Sequence, residues 1–235
     1  MEHVCVKDQY SKVIVDLWKK YDHLQELDIP GCEYRKSPLA PETIKKNTLL
    51  FVGINPSFTK GNKIPDDKKE IDFYTLDTQS NNHIPYFKKF KEFADYCGTD
   101  WDHLDLLFIR ETNQKVIEDL TYVRPDGVDF IGKQLDISFS ILKELEPKVI
   151  VVANAFASEF FGKMKNKHGV FDKIWQGYSF DFEKDFNSEL GTYTILLNGK
   201  RVPIFFSGML SGQRALDLGS LERLMWGVKR IVNNL

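Results

Sequence analysis

The sequence predicts an α/β fold of three layers, α/β/α, on a mainly parallel central sheet with an antiparallel addition near its C-terminal part. Three observations carry that prediction. Four apolar runs, at 48–54, 104–109, 148–153 and 202–206, are hydrophobic on both faces, as strands buried in a parallel sheet are. Segments with apolar residues at helical spacing lie between and after them, at 86–96, 130–145, 155–165 and 216–232. Strand alternating with helix in this way is the pattern of a parallel sheet covered on both sides.

Taken in order, the chain opens with a helical pattern at 10–27, where Val13, Val15, Leu17, Trp18 and Leu24 recur among charges. Ile29-Pro30-Gly31 ends it, and a polar, proline-containing connector leads to the first strand. Later, 175–182 and 192–197 read as strands, and Asn198-Gly199 reads as a hairpin turn into 202–206. No repeat, low-complexity tract or Gly/Ser linker divides the 235 residues. A single domain over 1–235 is therefore expected, with 1–47 as an N-terminal helix and connector.

Composition narrows the function classes. Hydrophobic residues at 42% and charged residues at 28% place the chain in the globular class, and 18 phenylalanines can fill a large interior. No apolar run approaches the roughly 20 residues needed to span a bilayer. Met1-Glu2-His3-Val4 lacks the basic-then-apolar plan of a signal peptide, so a cytoplasmic protein is expected. Cys5, Cys32 and Cys97 are odd in number and far apart, which argues against disulfides, zinc pairs and iron–sulfur clusters. His3, His23, His83, His103 and His168 show no ligand spacing, so neither metal nor cofactor is expected. The net charge of −2 advertises no nucleic-acid binding, but local patches decide that. Three groups of lysines are candidates: Lys60, Lys63, Lys68 and Lys69; Lys88, Lys89 and Lys91; and Lys163, Lys165 and Lys167 beside His168. Each reads more readily as a solvated face.

Ligands of open α/β sheets bind beyond the carboxyl ends of the strands. There the sequence places Asn55-Pro56-Ser57, Arg110-Glu111-Thr112-Asn113-Gln114, Asn154, and the stretch from Ser207 to Arg214. Pro56 biases Asn55 towards an extended conformation that aims its carboxamide at the crevice, and Gly53 permits close approach. The alternative for this segment is an Asx-type turn closing a buried strand. Asn113 and Asn154 could each pair with a pyrimidine edge, or equally cap the helices that follow. Gly208, Ser211 and Gly212 could form an anion-receptive turn at a helix N-terminus. There is no GxGxxG, no P-loop, and no GxSxG elbow in register, so dinucleotide, P-loop and serine-hydrolase readings lapse. The Arg110-Glu111 neighbours read as a structural ion pair.

The run Phe51-Val52-Gly53-Ile54-Asn55-Pro56-Ser57 resembles the first motif of the uracil-DNA glycosylase superfamily. It is closest to the Gly-Ile-Asn-Pro form of the mismatch-type uracil/thymine glycosylases. The order of elements is similar over about 48–224, but identity is confined to Gly53, Ile54, Asn55 and Pro56. The second motif, His-Pro-Ser, is not retained: Ser207-Gly208-Met209-Leu210-Ser211-Gly212-Gln213-Arg214 stands in its place. The resemblance implies an enzyme that flips a nucleotide out of DNA and cleaves its N-glycosidic bond without a cofactor. Asn55 would orient the attacking water. Phe58, or another aromatic such as Phe73, Tyr74 or Tyr86, would stack on the base. Asn113 or Asn154 would read it, and Ser211, Gln213 and Arg214 would hold phosphate or leaving group. The expected partner is DNA or a nucleotide, bound by a monomer without a membrane. A member that binds without cleaving, or a hydrolase of free nucleosides, remain the other readings.

Overall fold

The computed structural model describes residues 2–24, 27, 37–57, 71–79, 84–162, 186–212 and 214–234. In chain order these form β1 (His3–Cys5), α1 (Val6–Lys20), β2 (Leu39–Pro41), β3 (Thr43–Lys45), β4 (Leu49–Gly53) and β5 (Tyr74–Leu76). Then come α2 (Pro85–Cys97), β6 (Trp101–Asp105), α3 (Gln114–Tyr122), α4 (Pro125–Leu145), β7 (Val149–Val152) and a 3-10 turn, Ala157–Phe161. The chain closes with β8 (Phe186–Asn187), β9 (Thr192–Leu197), β10 (Lys200–Phe206) and α5 (Leu218–Val232).

The main sheet runs β6-β4-β7-β10-β9-β8. β6, β4, β7 and β10 pair in parallel, and β9 and β8 continue the sheet antiparallel. The sequence expectation of a mainly parallel sheet with an antiparallel addition is therefore met. Asn198 and Gly199 make the two-residue turn between β9 and β10, with φ of 48° and 80°. That pair of left-handed residues is what a hairpin turn following the twist of its strands requires.

Alternate residues of β4 feed two cores, because a strand's side chains alternate between faces. Leu50, Val52 and Ile54 join α1, α3 and α4 in one core, where Trp18 meets Phe130 edge-on at 4.9 Å. Leu49 and Phe51 join α2 and α5 in the other, where Phe51 stacks on Phe90 at 4.3 Å. Pro125 at the start of α4 suits a first-turn position whose N–H has no partner. Among the described residues, no helix is long and apolar enough to cross a membrane.

Several expected boundaries move. The run at 104–109 is not the strand: β6 is Trp101–Asp105, and Leu106–Arg110 is buried but irregular. Asp102, His103 and Asp105 disguised the strand as polar. Inside the fold Asp102 accepts from Lys45 N at 2.8 Å and from Thr78 Oγ1 at 2.9 Å, so its burial is compensated. Desolvation still pushes its carboxyl above the usual range. The stretch 1–47 is more than helix and connector, since β1 pairs with β3 and β2 with β5. The helix expected at 10–27 is Val6–Lys20, and that expected at 155–165 is a 3-10 turn over its described part. The strand expected at 175–182 lies outside the described residues.

Candidate functional site

Counted from β4, the parallel strands are ordered second, first, third, fourth: β6, β4, β7, β10. The chain leaves β4 towards β6 on one side and leaves β7 towards β10 on the other. By that strand order the topological switch point lies between β4 and β7, and the crevice position of such sheets, where ligands bind, is beyond their carboxyl ends. Asn55 follows β4 into it and Asn154 follows β7.

Asn55 is half-buried, and its Nδ2 donates to three carbonyls: Ile109 O at 3.1 Å, Glu111 O at 2.7 Å and Pro56 O at 3.0 Å. These bonds, with Glu111 N to Pro56 O at 3.0 Å and Leu107 N to Ile54 O at 2.8 Å, zip the exit of β4 to the irregular exit of β6. Gln134, wholly buried, accepts from Phe108 N at 2.9 Å and holds the other side of that segment. A buried loop must satisfy its backbone in some such way. The same clamp fixes the carboxamide plane, so Oδ1 becomes an acceptor of set direction.

At Gly53, two residues before Asn55, the fold brings together three side chains from β6 and α2. Gly53 lies directly opposite Asp105, and Asp105 Oδ1 occupies the space a Cβ at position 53 would need. His103 Cε1 and Tyr86 Oη lie 3.1 Å and 3.2 Å from that point. Gly53 therefore gives close approach to a carboxylate, where the sequence offers a ligand or a neighbouring backbone. His103 Nε2 stands 3.2 Å from Asp105 Oδ2. The imidazole is 1% exposed and enclosed by the rings of Tyr86, Phe87 and Phe90. Burial and the charge of Asp105 push the Tyr86 phenol up, so its O–H stays protonated. Tyr86 is among the aromatics the sequence offers for stacking, whereas nothing in the sequence marks His103 and Asp105. Their i, i+2 spacing puts them on one strand face, but only once β6 is placed at Trp101–Asp105.

The remaining expected residues fall as follows. Ile54 packs into the core with α1 and α4, and Pro56 is buried, so their side chains do not reach a ligand. Ser57 is exposed at the rim. Asn113 caps α3, its Oδ1 accepting from Lys115 N at 3.1 Å. Asn154 caps the 3-10 turn, its Oδ1 accepting from Phe156 N at 2.9 Å and Ala157 N at 3.2 Å. Both carboxamide oxygens are thus engaged, as the capping alternative required. Ser207 N continues the sheet by bonding Val152 O at 2.9 Å, which sets Gly208 beyond β10 at the same edge of the crevice. Ser211 is half-buried, and Gly212 (φ 87°) and Arg214 are exposed on a loop closed by Leu216 N to Met209 O at 2.9 Å.

That loop does not form a helix N-terminus. α5 begins at Leu218, and Asp217 already occupies its end, accepting from Ser220 N at 2.9 Å. The helix-terminal anion grip expected from Gly208, Ser211 and Gly212 is corrected accordingly, because a carboxylate fills the electropositive end. Phe58 and Gln213 lie outside the described residues, as do the lysine groups at 60–69 and 163–167.

Lys88 and Lys89 lie against Glu92, at 4.0 Å and 2.7 Å, and Lys91 pairs with Asp95 at 2.6 Å, so α2 presents a mixed solvated face rather than a basic patch. Arg110 is buried with its guanidinium 4.7 Å over the Tyr74 ring, and desolvation lowers its pKa to about 9. An open depression of about 500 Å³, lined by Lys46, Asn47, Asp100, Glu146, Lys148 and Lys200 among others, lies at the amino ends of the strands, away from the crevice. Among the described residues, no three His, Cys, Asp or Glu side chains gather to hold a metal ion. No protein-family model matches the chain, and no curated protein matches it.

Proposed function

We propose that the protein takes a nucleobase turned out of a DNA strand into the crevice beyond β4, β6 and β7, and hydrolyses its N-glycosidic bond. The observation that carries this reading is the clamped carboxamide of Asn55, with Nδ2 fixed by Ile109 O and Glu111 O at the topological switch of the sheet. A held acceptor orients a water without deprotonating it. Such a water suits a reaction in which bond breaking runs ahead of attack.

In that reaction the C1′–N bond breaks, its electron pair leaves with the base, and the sugar gains oxocarbenium character. The water on Asn55 adds to C1′ and gives up its proton to solvent or to the departing base. Catalysis then depends on hydrogen bonds and charge that settle the leaving base. Tyr86, whose phenol remains an O–H donor at the crevice, supports that step, and Ser211 and Arg214 on the loop after β10 would hold a flanking phosphate. Binding without cleavage is the second reading. It is favoured by the loop after β10, which supplies no imidazole to the leaving base.

The test is release of free base from single-stranded and duplex DNA carrying uracil, mismatched thymine, hypoxanthine or 8-oxoguanine. Asn55→Ala and Asn55→Asp, checked for folding by circular dichroism, serve as controls. Release by the wild type that is lost in a folded Asn55 variant supports the hydrolase. Retention of DNA without release from any substrate selects the binding protein, and neither retention nor release rejects both.

A further inference from the structure

The hydrolysis outlined above leaves the Asp105 carboxylate unused, and its surroundings define what it can recognise. Its side chain is 10% exposed at the carboxyl end of β6, against Gly53, which precedes Asn55 by two residues. His103 Nε2, 3.2 Å from Oδ2, supplies a donor from beneath. The imidazole itself is sealed in, and its Nδ1 is buried without a hydrogen-bond partner among the described residues. A nitrogen left unsatisfied in this way is a cost, against which stands the contact of the opposite nitrogen with Asp105. Tyr86 Oη completes the group from α2, 3.2 Å from the position a Cβ would take at residue 53, which Asp105 Oδ1 crowds at 2.2 Å.

We infer that Asp105 and Tyr86 read the edge of the bound base, and that the edge they select is guanine-type: a carbonyl beside two adjacent N–H donors. The inference rests on the crevice being a nucleobase site. An ionised carboxylate only accepts hydrogen bonds, and a phenol O–H held protonated donates. Uracil and thymine set a single N–H between two carbonyls, so a carboxylate facing that edge meets oxygen lone pairs. Cytosine and adenine offer one amino group next to a ring acceptor. Guanine places N1–H and the 2-amino group side by side, spaced to the two oxygens of a carboxylate, with O6 next to them for Tyr86. Asp105, not the capping residues Asn113 and Asn154, is thus the specificity-determining side chain.

The test is calorimetric titration of the full chain with guanosine, inosine, xanthosine and uridine. Guanosine should bind about tenfold or more tighter than inosine, which lacks the 2-amino donor. Xanthosine, with a carbonyl there, should bind more weakly still, and uridine should not compete. Asp105→Asn exchanges one acceptor for a donor, so preference should pass from guanosine to xanthosine, a gain that a damaged fold cannot produce. Equal binding of guanosine and xanthosine by the wild type, loss of guanosine without a gain for xanthosine in the variant, or no nucleoside binding at all would each overturn the inference. Uracil release from DNA without a guanosine preference would remove this inference alone. A guanosine preference that switches in Asp105→Asn, with no base released from any DNA, would remove the hydrolysis and keep the reader.

Discussion

Asp105 and Gly53 face each other across β6 and β4, and the carboxylate Oδ1 of one fills the place where the other would carry a side chain. The pairing makes glycine obligatory for a reason of space, since β4 is otherwise an ordinary extended strand. Alanine at position 53 would drive Asp105 off His103, because a two-bond side chain tethered at 3.2 Å has little room to yield. Gly53→Ala should cost about 1–3 kcal/mol by overpacking. In an Asp105→Ala background the same change should cost less, since only the 3.1 Å and 3.2 Å contacts with His103 Cε1 and Tyr86 Oη remain. Urea denaturation of the four proteins checks this, and an equal cost in both backgrounds would contradict it.

Asn55 should prove a structural residue as well as a site residue. Removing its amide strands the carbonyls of Ile109 and Glu111, both buried residues, in a segment with no ladder to replace the bonds. Asn55→Ala should lose about 2–3 kcal/mol in denaturant midpoint analysis. Asn55→Asp should lose more above pH 5, because it turns a carboxylate towards those oxygens.

His103 and Asp105 should be energetically coupled. With both side chains nearly buried, taking away the imidazole leaves the carboxylate without its donor. His103→Leu alone should destabilise by about 3 kcal/mol. A double-mutant cycle with Asp105→Asn should return a coupling of about 1 kcal/mol or more. Additive losses would mean that the contact contributes nothing.

A pH dependence follows from the cap of α5. The Asp217 carboxyl is held below its ordinary value of 3.8 by its hydrogen bonds to Ser220. The folded state therefore binds that proton less readily than the unfolded state, and stability rises with pH across the window. The contribution is whole above the unfolded value and fades as pH falls through the lower, folded one. The difference in thermal midpoint between wild type and Asp217→Ala should be constant from pH 5 to 7 and shrink below about pH 3.8. A difference that grows on acidification would reverse the sign and contradict the assignment.

The parallel strands β4, β7 and β10 were legible because each is apolar on both faces, and the turn at Asn198-Gly199 was legible because only a left-handed pair closes that hairpin. β6 was displaced by several residues for a tertiary reason. Its polar members find distant partners, Asp102 in Lys45 N and Thr78 Oγ1 and Asp105 in the Nε2 of His103, groups that no local pattern links to them. The apolar run after it is buried as a loop, which Asn55 and Gln134 make tolerable. β1, β2 and β3, three residues each, are too short to carry a period. At the site, Asn55 stood out as an Asn-Pro step closing a strand. The backbone carbonyls that clamp it, like the juxtaposition of Gly53 with Asp105, exist only after the strands are in register.

Titrating 15N-labelled protein with a short single-stranded oligonucleotide, at low salt, asks directly whether nucleic acid enters the crevice position beyond β4, β6 and β7. The expected result is shifted amides at Gly53, Ile54, Asn55 and Ser57, at 105–111 and at 207–212, with the Asn55 side-chain NH2 among them. Shifts gathered instead around Asn47, Lys148 and Lys200 at the amino ends of the strands, or none at saturating oligonucleotide, would contradict it.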